Sequence, residues 1–224
     1  MNLKPTIIGL SAALTIAYSL SPSRNLTKHC SEEAENKWQQ DKIICFIDEY
    51  AAKITTAAKE NNVPPELLAA VVYQENDYRL KIQDITDTIS ELIGRNYTAG
   101  PGQIKISTAM RLDNITTPIV KLEIESYSHR LNDPEVAISY IAAELNHIKK
   151  EAQMENIRYS EIDLLASAYR NGYTPNMKLN NHGYDVLIIL RNNNIYNALN
   201  LKMDKHRWQD IQNYLNKTQK ERVE

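Results

Sequence analysis

The sequence predicts a mainly α-helical protein, and three observations carry that prediction. Apolar residues recur at steps of three and four along most of the chain after Ser31. Gly and Pro are scarce, 6 and 8 in 224 residues, which favours helices over a turn-rich β fold. Helix starts and stops are written as Pro64-Pro65, Asp133-Pro134 and Asn171-Gly172. The length suits one domain with tails and a core that needs no disulfide scaffold. Hydrophobic residues at 42% and charged residues at 24% exclude a wholly disordered chain. A formal net charge of −2 gives no basic excess, so nucleic acid is not an expected partner.

The elements follow in order. Lys4 precedes an apolar run from Ile7 to Leu20. The run is short for a membrane span of about 20 residues and fits a signal-peptide core. Ala17 and Ser19 place small residues where a signal peptidase reads. Residues 1–20 are therefore expected to be a signal peptide, with an uncleaved N-terminal membrane anchor as the alternative. The protein is expected to be exported, periplasmic or extracellular. Thr27 stands three before Cys30, where a lipoprotein carries Leu or a similar residue. Cys30 and Cys45 suit a disulfide in an exported chain; the alternative is two thiols, with Cys45 on a helix face.

Ile43, Ile47, Tyr50, Ile54 and Ala58 mark one amphipathic helix ending at Asn61-Asn62. Pro64 and Pro65 suit the first turn of the next, where a missing N–H costs nothing. Its apolar face is Leu67, Leu68, Val71 and Val72. A short helix is expected from Thr86 to Ile93, and another from Gly102 to Leu112. Asp133 caps a helix striped with Ile138, Ile141, Ala142, Leu145 and Ile148. Ser160 and Asp163 resemble a capping box before Leu164, Leu165 and Ala168, and Gly172 ends that helix. Tyr184 to Leu190 is expected to be helical, and a last amphipathic helix holds Trp208, Ile211 and Leu215. This gives one domain over 31–216 and a charged tail over 217–224, without repeats or a second domain.

One residue breaks the pattern. Glu75 lies four after Val71 and three after Val72, on the apolar face of its helix. A carboxylate there is costly unless paired or used, and burial raises its pKa. A raised carboxyl suits a general acid working near neutral pH.

The surrounding residues add a resemblance. Val63-Pro64-Pro65-Glu66-Leu67-Leu68-Ala69-Ala70-Val71-Val72-Tyr73-Gln74-Glu75 resembles the opening catalytic motif of the lytic transglycosylase and goose-type lysozyme superfamily. Gly100-Pro101-Gly102-Gln103-Ile104 is similar to that family's Gly-Leu-Met-Gln-Ile segment. Asp133-Pro134-Glu135 onward resembles its Asn/Asp-Pro-x-x-Asn-Ile helix start, and Ala168-Tyr169-Arg170-Asn171-Gly172 its Ala-Tyr-Asn-x-Gly segment. The four fall in the family's order over residues 43–185.

The resemblance implies a lysozyme-like helical domain with a substrate cleft, cleaving peptidoglycan glycan strands without a cofactor or metal. It makes Glu75 the general acid at the MurNAc–GlcNAc bond and then the base. Gln103 would hydrogen-bond sugar or shape the cleft floor, or else serve as a capping or surface side chain. Tyr169 would orient the catalytic carboxyl and stabilise its charged form, or else be a core aromatic with a satisfied hydroxyl. Gly100 and Gly102 would bring backbone amides close to sugar. Asn76 stands where the family commonly has Ser and is expected beside the substrate. Pro101-Gly102 replaces Leu-Met, and Arg170 replaces an Asn. The expected partners are glycan strands and cell-envelope machinery, and the expected state is a monomer.

A transglycosylase of this family manages with one carboxyl, whereas a typical glycosidase uses two. Asp77, Asp84, Asp87 and Glu91 are the candidates for a second acid; as ordinary residues they are helix caps or surface charges. His29, His129, His147, His182 and His206 are scattered and read as structural or solvated, with no metal-ligand spacing. Ser167 lacks a nucleophile elbow, and no phosphate loop is present. Tyrosine is in excess, 13 against one Phe and two Trp, a mixture that suits a wet groove.

Overall fold

A computed structural model describes residues 39–77, 98–116, 121–154, 159–191, 194–202 and 205–223. The expected signal segment, Cys30, the helix expected over 86–93, Asp84, Asp87 and Glu91 lie outside these residues. The described chain is mainly helical. It runs α1 (Gln39–Glu49), α2 (Ala51–Glu60), α3 (65–77), a hairpin of β1 (Thr98–Ala99) and β2 (Ile104–Lys105), then α4 (Ile106–Leu112). After these come α5 (Lys121–Leu131), α6 (Pro134–Glu151), α7 (Tyr159–Asn171), α8 (Asn181–Arg191), α9 (Asn194–Ala198) and α10 (Lys205–Val223).

The core is built around α3. Leu67 through Val72 are all buried, so this stretch of helix has no solvent face. Truncating a Leu at such a position costs about 2–5 kcal/mol. α6 packs against α2, α4, α5, α7 and β2. Its five-residue apolar stripe is buried as expected, and Asp133 caps it by accepting from Glu135 N at 2.8 Å and Val136 N at 3.3 Å. α7 and α8 form the most extensive helix pair, and α10 crosses both.

Gly183 explains the closeness of the α7–α8 pair. A Cβ on it would lie 2.1 Å from Asp163 Oδ1, 2.3 Å from the Asp163 carbonyl oxygen and 2.6 Å from Ser167 Oγ. Only a glycine lets the first turn of α8 settle against α7 there. Among the described residues no helix is long and apolar enough to cross a membrane.

Several local expectations change. The first helix is interrupted at Tyr50, whose φ of −98° and ψ of 15° depart from helical values. Hydrogen bonds continue through it, Tyr50 N to Phe46 O and Ile54 N to Tyr50 O, so the interruption is a kink. The helix expected from Gly102 starts at Ile106, because residues 100–103 form the hairpin turn and Gln103 has a φ of 46°. Asp163 is no capping residue: it is fully buried and accepts from Tyr214 Oη at 3.1 Å and Ser167 Oγ at 3.4 Å. Trp208 is 39% exposed while Ile211 and Leu215 are buried, so Trp208 sits off the core stripe. The last helix runs through the expected tail to Val223, and Thr218 within it is buried. α5 and α9 have no counterpart in the sequence reading. Cys45, the one cysteine among the described residues, is free and half-buried; its expected partner Cys30 lies outside them.

Candidate active site

Glu75 ends the buried stripe of α3 and is 1% exposed. Its two oxygens face different partners. Arg170 Nη1 on α7 donates to Oε2 at 3.0 Å. His182 Nε2, on the first turn of α8, lies 3.2 Å from Oε1. Burial raises the Glu75 pKa to about 7, against the opposing pull of the Arg170 charge and hydrogen bond. Burial, then the nearby Arg170 charge, lower His182 to about 4, so its imidazole is neutral at pH 7. The Glu75–His182 contact is therefore not an ion pair at that pH.

Glu75 borders a cavity of about 280 Å³. Tyr169, Arg170 and Gly172 line it from α7, and Glu144 from α6. Thr98, Gln103, Ile104 and Lys105 line it from the hairpin, and Thr108 from α4. The lining carries charges of both signs beside hydroxyl and amide groups, a chemistry suited to a polar, multi-hydroxyl ligand.

The hairpin turn is held by the residues singled out in the sequence. Gly100 has a φ of +69°, and a Cβ there would meet the Leu131 carbonyl oxygen at 1.7 Å. Its lack of a side chain serves the approach of the turn to the end of α5 rather than to a sugar. A Cβ on Gly102 would press on Ile141 at 2.7 Å, and both glycines are buried. The Gly100 carbonyl accepts from Gln103 N at 3.1 Å and Gln103 Nε2 at 3.0 Å. Gln103 Oε1 accepts from Thr98 Oγ1 at 2.9 Å, so both ends of its amide are engaged within the hairpin.

Asn76 and Tyr169 fasten the same turn from outside. Asn76 is fully buried and donates through Nδ2 to Val72 O at 2.8 Å and Pro101 O at 2.9 Å. It has no surface to offer a substrate, which corrects the expectation drawn from its neighbour. The larger amide is what reaches the turn. Tyr169 Oη donates to Gly102 O at 2.6 Å, so its proton goes to the turn and not to Glu75. Burial, then the negative charges of Glu75 and Glu144, raise its pKa well above the usual tyrosine value, so it stays a donor.

Thus Glu75, Gln103 and Tyr169 share one cavity wall, while Gly100, Gly102 and Asn76 lie behind it as support. Arg170, which stands where the resembled family has Asn, is the side chain that hydrogen-bonds Glu75 and favours its charged form, the role expected of the Tyr169 hydroxyl. Sequence reasoning missed His182 and Glu144. His182 comes from a helix remote in sequence and carries no spacing signal. Glu144 sits beside the apolar stripe of α6, where an acid carries no sequence signal that separates a cavity residue from a surface one. Asp77, the described member of the second-acid candidates, does not line the cavity; Glu144 does. Glu144 is also ion-paired with Arg111. Among the described residues no three His, Cys, Asp or Glu side chains gather as a metal site requires. No protein-family model matches the chain, and no curated protein or solved structure matches it either.

Proposed function

We propose that the protein is a peptidoglycan lytic transglycosylase with a lysozyme-like helical fold, its cavity being the substrate cleft. The observation that carries this reading is Glu75: a carboxyl buried at the edge of a polar cavity and titrating near 7. The four ordered segments that resemble the lytic transglycosylase family support it. Glu75 in its protonated form gives its proton to the glycosidic oxygen between MurNAc and GlcNAc as the bond to the MurNAc C1 breaks. The acetamido group of the same sugar assists departure. The Glu75 carboxylate then takes the proton of the MurNAc 6-hydroxyl as that oxygen closes on C1, leaving a 1,6-anhydro end. Arg170 stabilises the carboxylate between the two steps. The reading carries with it export to the cell envelope, glycan strands as the partner and cell-envelope machinery as the setting.

Product analysis on purified sacculi tests it. Anhydro-muropeptides are expected from the wild type and none from Glu75→Gln, a variant that should keep the fold. A Glu75→Gln protein with wild-type turnover would sink the mechanism. A second reading, hydrolysis by a muramidase of the same fold, is favoured by one observation: Glu144 is a second carboxylate on the same cavity. Reducing-end products would select it. Binding to sacculi without any product would identify a glycan-binding or assembly protein.

A further inference from the structure

Two buried polar atoms face each other behind the catalytic carboxyl. Glu75 Oε1 and His182 Nε2 are 3.2 Å apart, and neither has a completed hydrogen bond with any described residue. A buried polar atom left so is destabilising, and their mutual bond would remove that penalty. The other oxygen, Oε2, lies against Arg170, which lines the cavity; His182 does not line it. The carboxyl therefore has a cavity side and a core side.

We propose that His182 is a positioning residue for Glu75: its neutral imidazole, protonated at Nε2, donates to Oε1 and so keeps the acid's proton on Oε2. This rests on the reading of Glu75 as the general acid. The argument is one of complementary lone pairs. An ionised Glu75 offers Oε1 only as an acceptor, so a bare Nε2 would set lone pair against lone pair. A bare Nε2 suits only a carboxyl with its proton on Oε1, turned into the core and away from a glycosidic oxygen. Protonation of His182 is disfavoured by its burial and by Arg170. The other groups around the carboxyl are consistent with this. Tyr169 gives its proton to Gly102, Glu144 is held by Arg111, and Asp185 on α8 accepts from Gln74 at 3.5 Å. Gly183, next in sequence, sets the reach of His182 by letting α8 close on α7.

Nitrogen-15 NMR of the full chain decides the tautomer. The expected result is a His182 protonated at Nε2 and bare at Nδ1 between about pH 6 and 8, above its lowered pKa. The opposite tautomer overturns the proposal. Two variants add a second readout. His182→Leu is expected to lower kcat on sacculi by about 10- to 100-fold with KM changed less than about twofold. It should also raise the Glu75 titration seen by carboxyl carbon-13 NMR. His182→Gln, which returns an N–H near the same point, should restore most of both. A Leu variant with wild-type kcat and an unmoved Glu75 titration overturns the proposal. If the wild type cleaves no peptidoglycan, the functional reading fails, while the tautomer and the Glu75 titration still decide the role of His182.

Discussion

At the scale of single residues, Glu75 is governed by two opposed effects. Loss of solvation favours its neutral form, and the Arg170 guanidinium favours its charged form; desolvation prevails. A general acid must hold its proton, so kcat/KM on glycan strands should fall as pH rises through about 7. Arg170→Gln removes the charge that lowers the Glu75 pKa. Its alkaline limb should therefore move up by about one pH unit, while the plateau falls because the carboxylate formed in the first step loses its partner. A limb that stays or moves down would show that Arg170 does not act on Glu75. The same shift has a stability consequence with a definite sign. The folded state holds the Glu75 proton more tightly than the unfolded chain does. Stability from this group is therefore complete below the unfolded value of 4.5 and is lost as pH rises through about 7. Glu75→Gln abolishes the dependence. Its melting temperature, compared with that of the wild type, should improve steadily between about pH 4.5 and 8. A difference that is flat across that range would contradict the raised carboxyl.

At the scale of elements, the hairpin turn and its supports form one unit. Asn76, Tyr169 and Gln103 each give a hydrogen to a carbonyl of the turn: Pro101, Gly102 and Gly100 respectively. Asn76→Ala leaves the Pro101 carbonyl buried without that donor, and a loss of about 1–3 kcal/mol in denaturant unfolding is expected. Asn76→Ser should not recover it, because a hydroxyl is too short to hold both Val72 O and Pro101 O. Full recovery by Ser would mean that the turn, not the side chain, sets the distance. The legibility of this unit in the sequence was uneven for a physical reason. Pro65, the Asp133 cap and Gly172 act within one helical turn, so each was readable in place. The turn's residues were readable as a cluster but not in their roles, because their partners come from α3, α5 and α7. Ile106, Ala109 and Met110 recur at helical steps, and nothing local marks where that helix begins, so Gly102 to Leu112 reads as one helix. The positive φ of Gln103 at the end of the turn goes with hydrogen bonds to Thr98 and Gly100 inside the hairpin, which apolar spacing does not reveal. His182 is the extreme case: nothing near it in sequence marks the α7–α8 closure that delivers it to Glu75.

At the scale of the whole molecule, the tyrosine excess and the charge balance take on different meanings. Several described tyrosines supply internal donors. Tyr127 and Tyr140 both donate to Asp113 at 2.7 and 2.6 Å, tying α5 and α6 to the end of α4, and Tyr214 ties α10 to α7 through Asp163. Phenylalanine could pack at these three places but could not satisfy the carboxylates. The charge balance bears on binding. A net charge of −2 offers an anionic polymer no long-range attraction. Within the cavity Arg170 and Lys105 stand against Glu144 and a Glu75 that is charged only above about pH 7, so the local positive excess is small. On the proposed function, affinity for glycan strands, whose peptide stems carry carboxylates, would then come from short hydrogen bonds and apolar contact. Such contacts are little affected when added salt shortens the screening length from about 14 to about 5 Å. KM for soluble glycan strands should therefore change by less than about threefold between roughly 50 and 400 mM salt, where a charge-driven binder loses affinity by orders of magnitude. A steep rise in KM over that range would place the binding energy on charge rather than on short contacts.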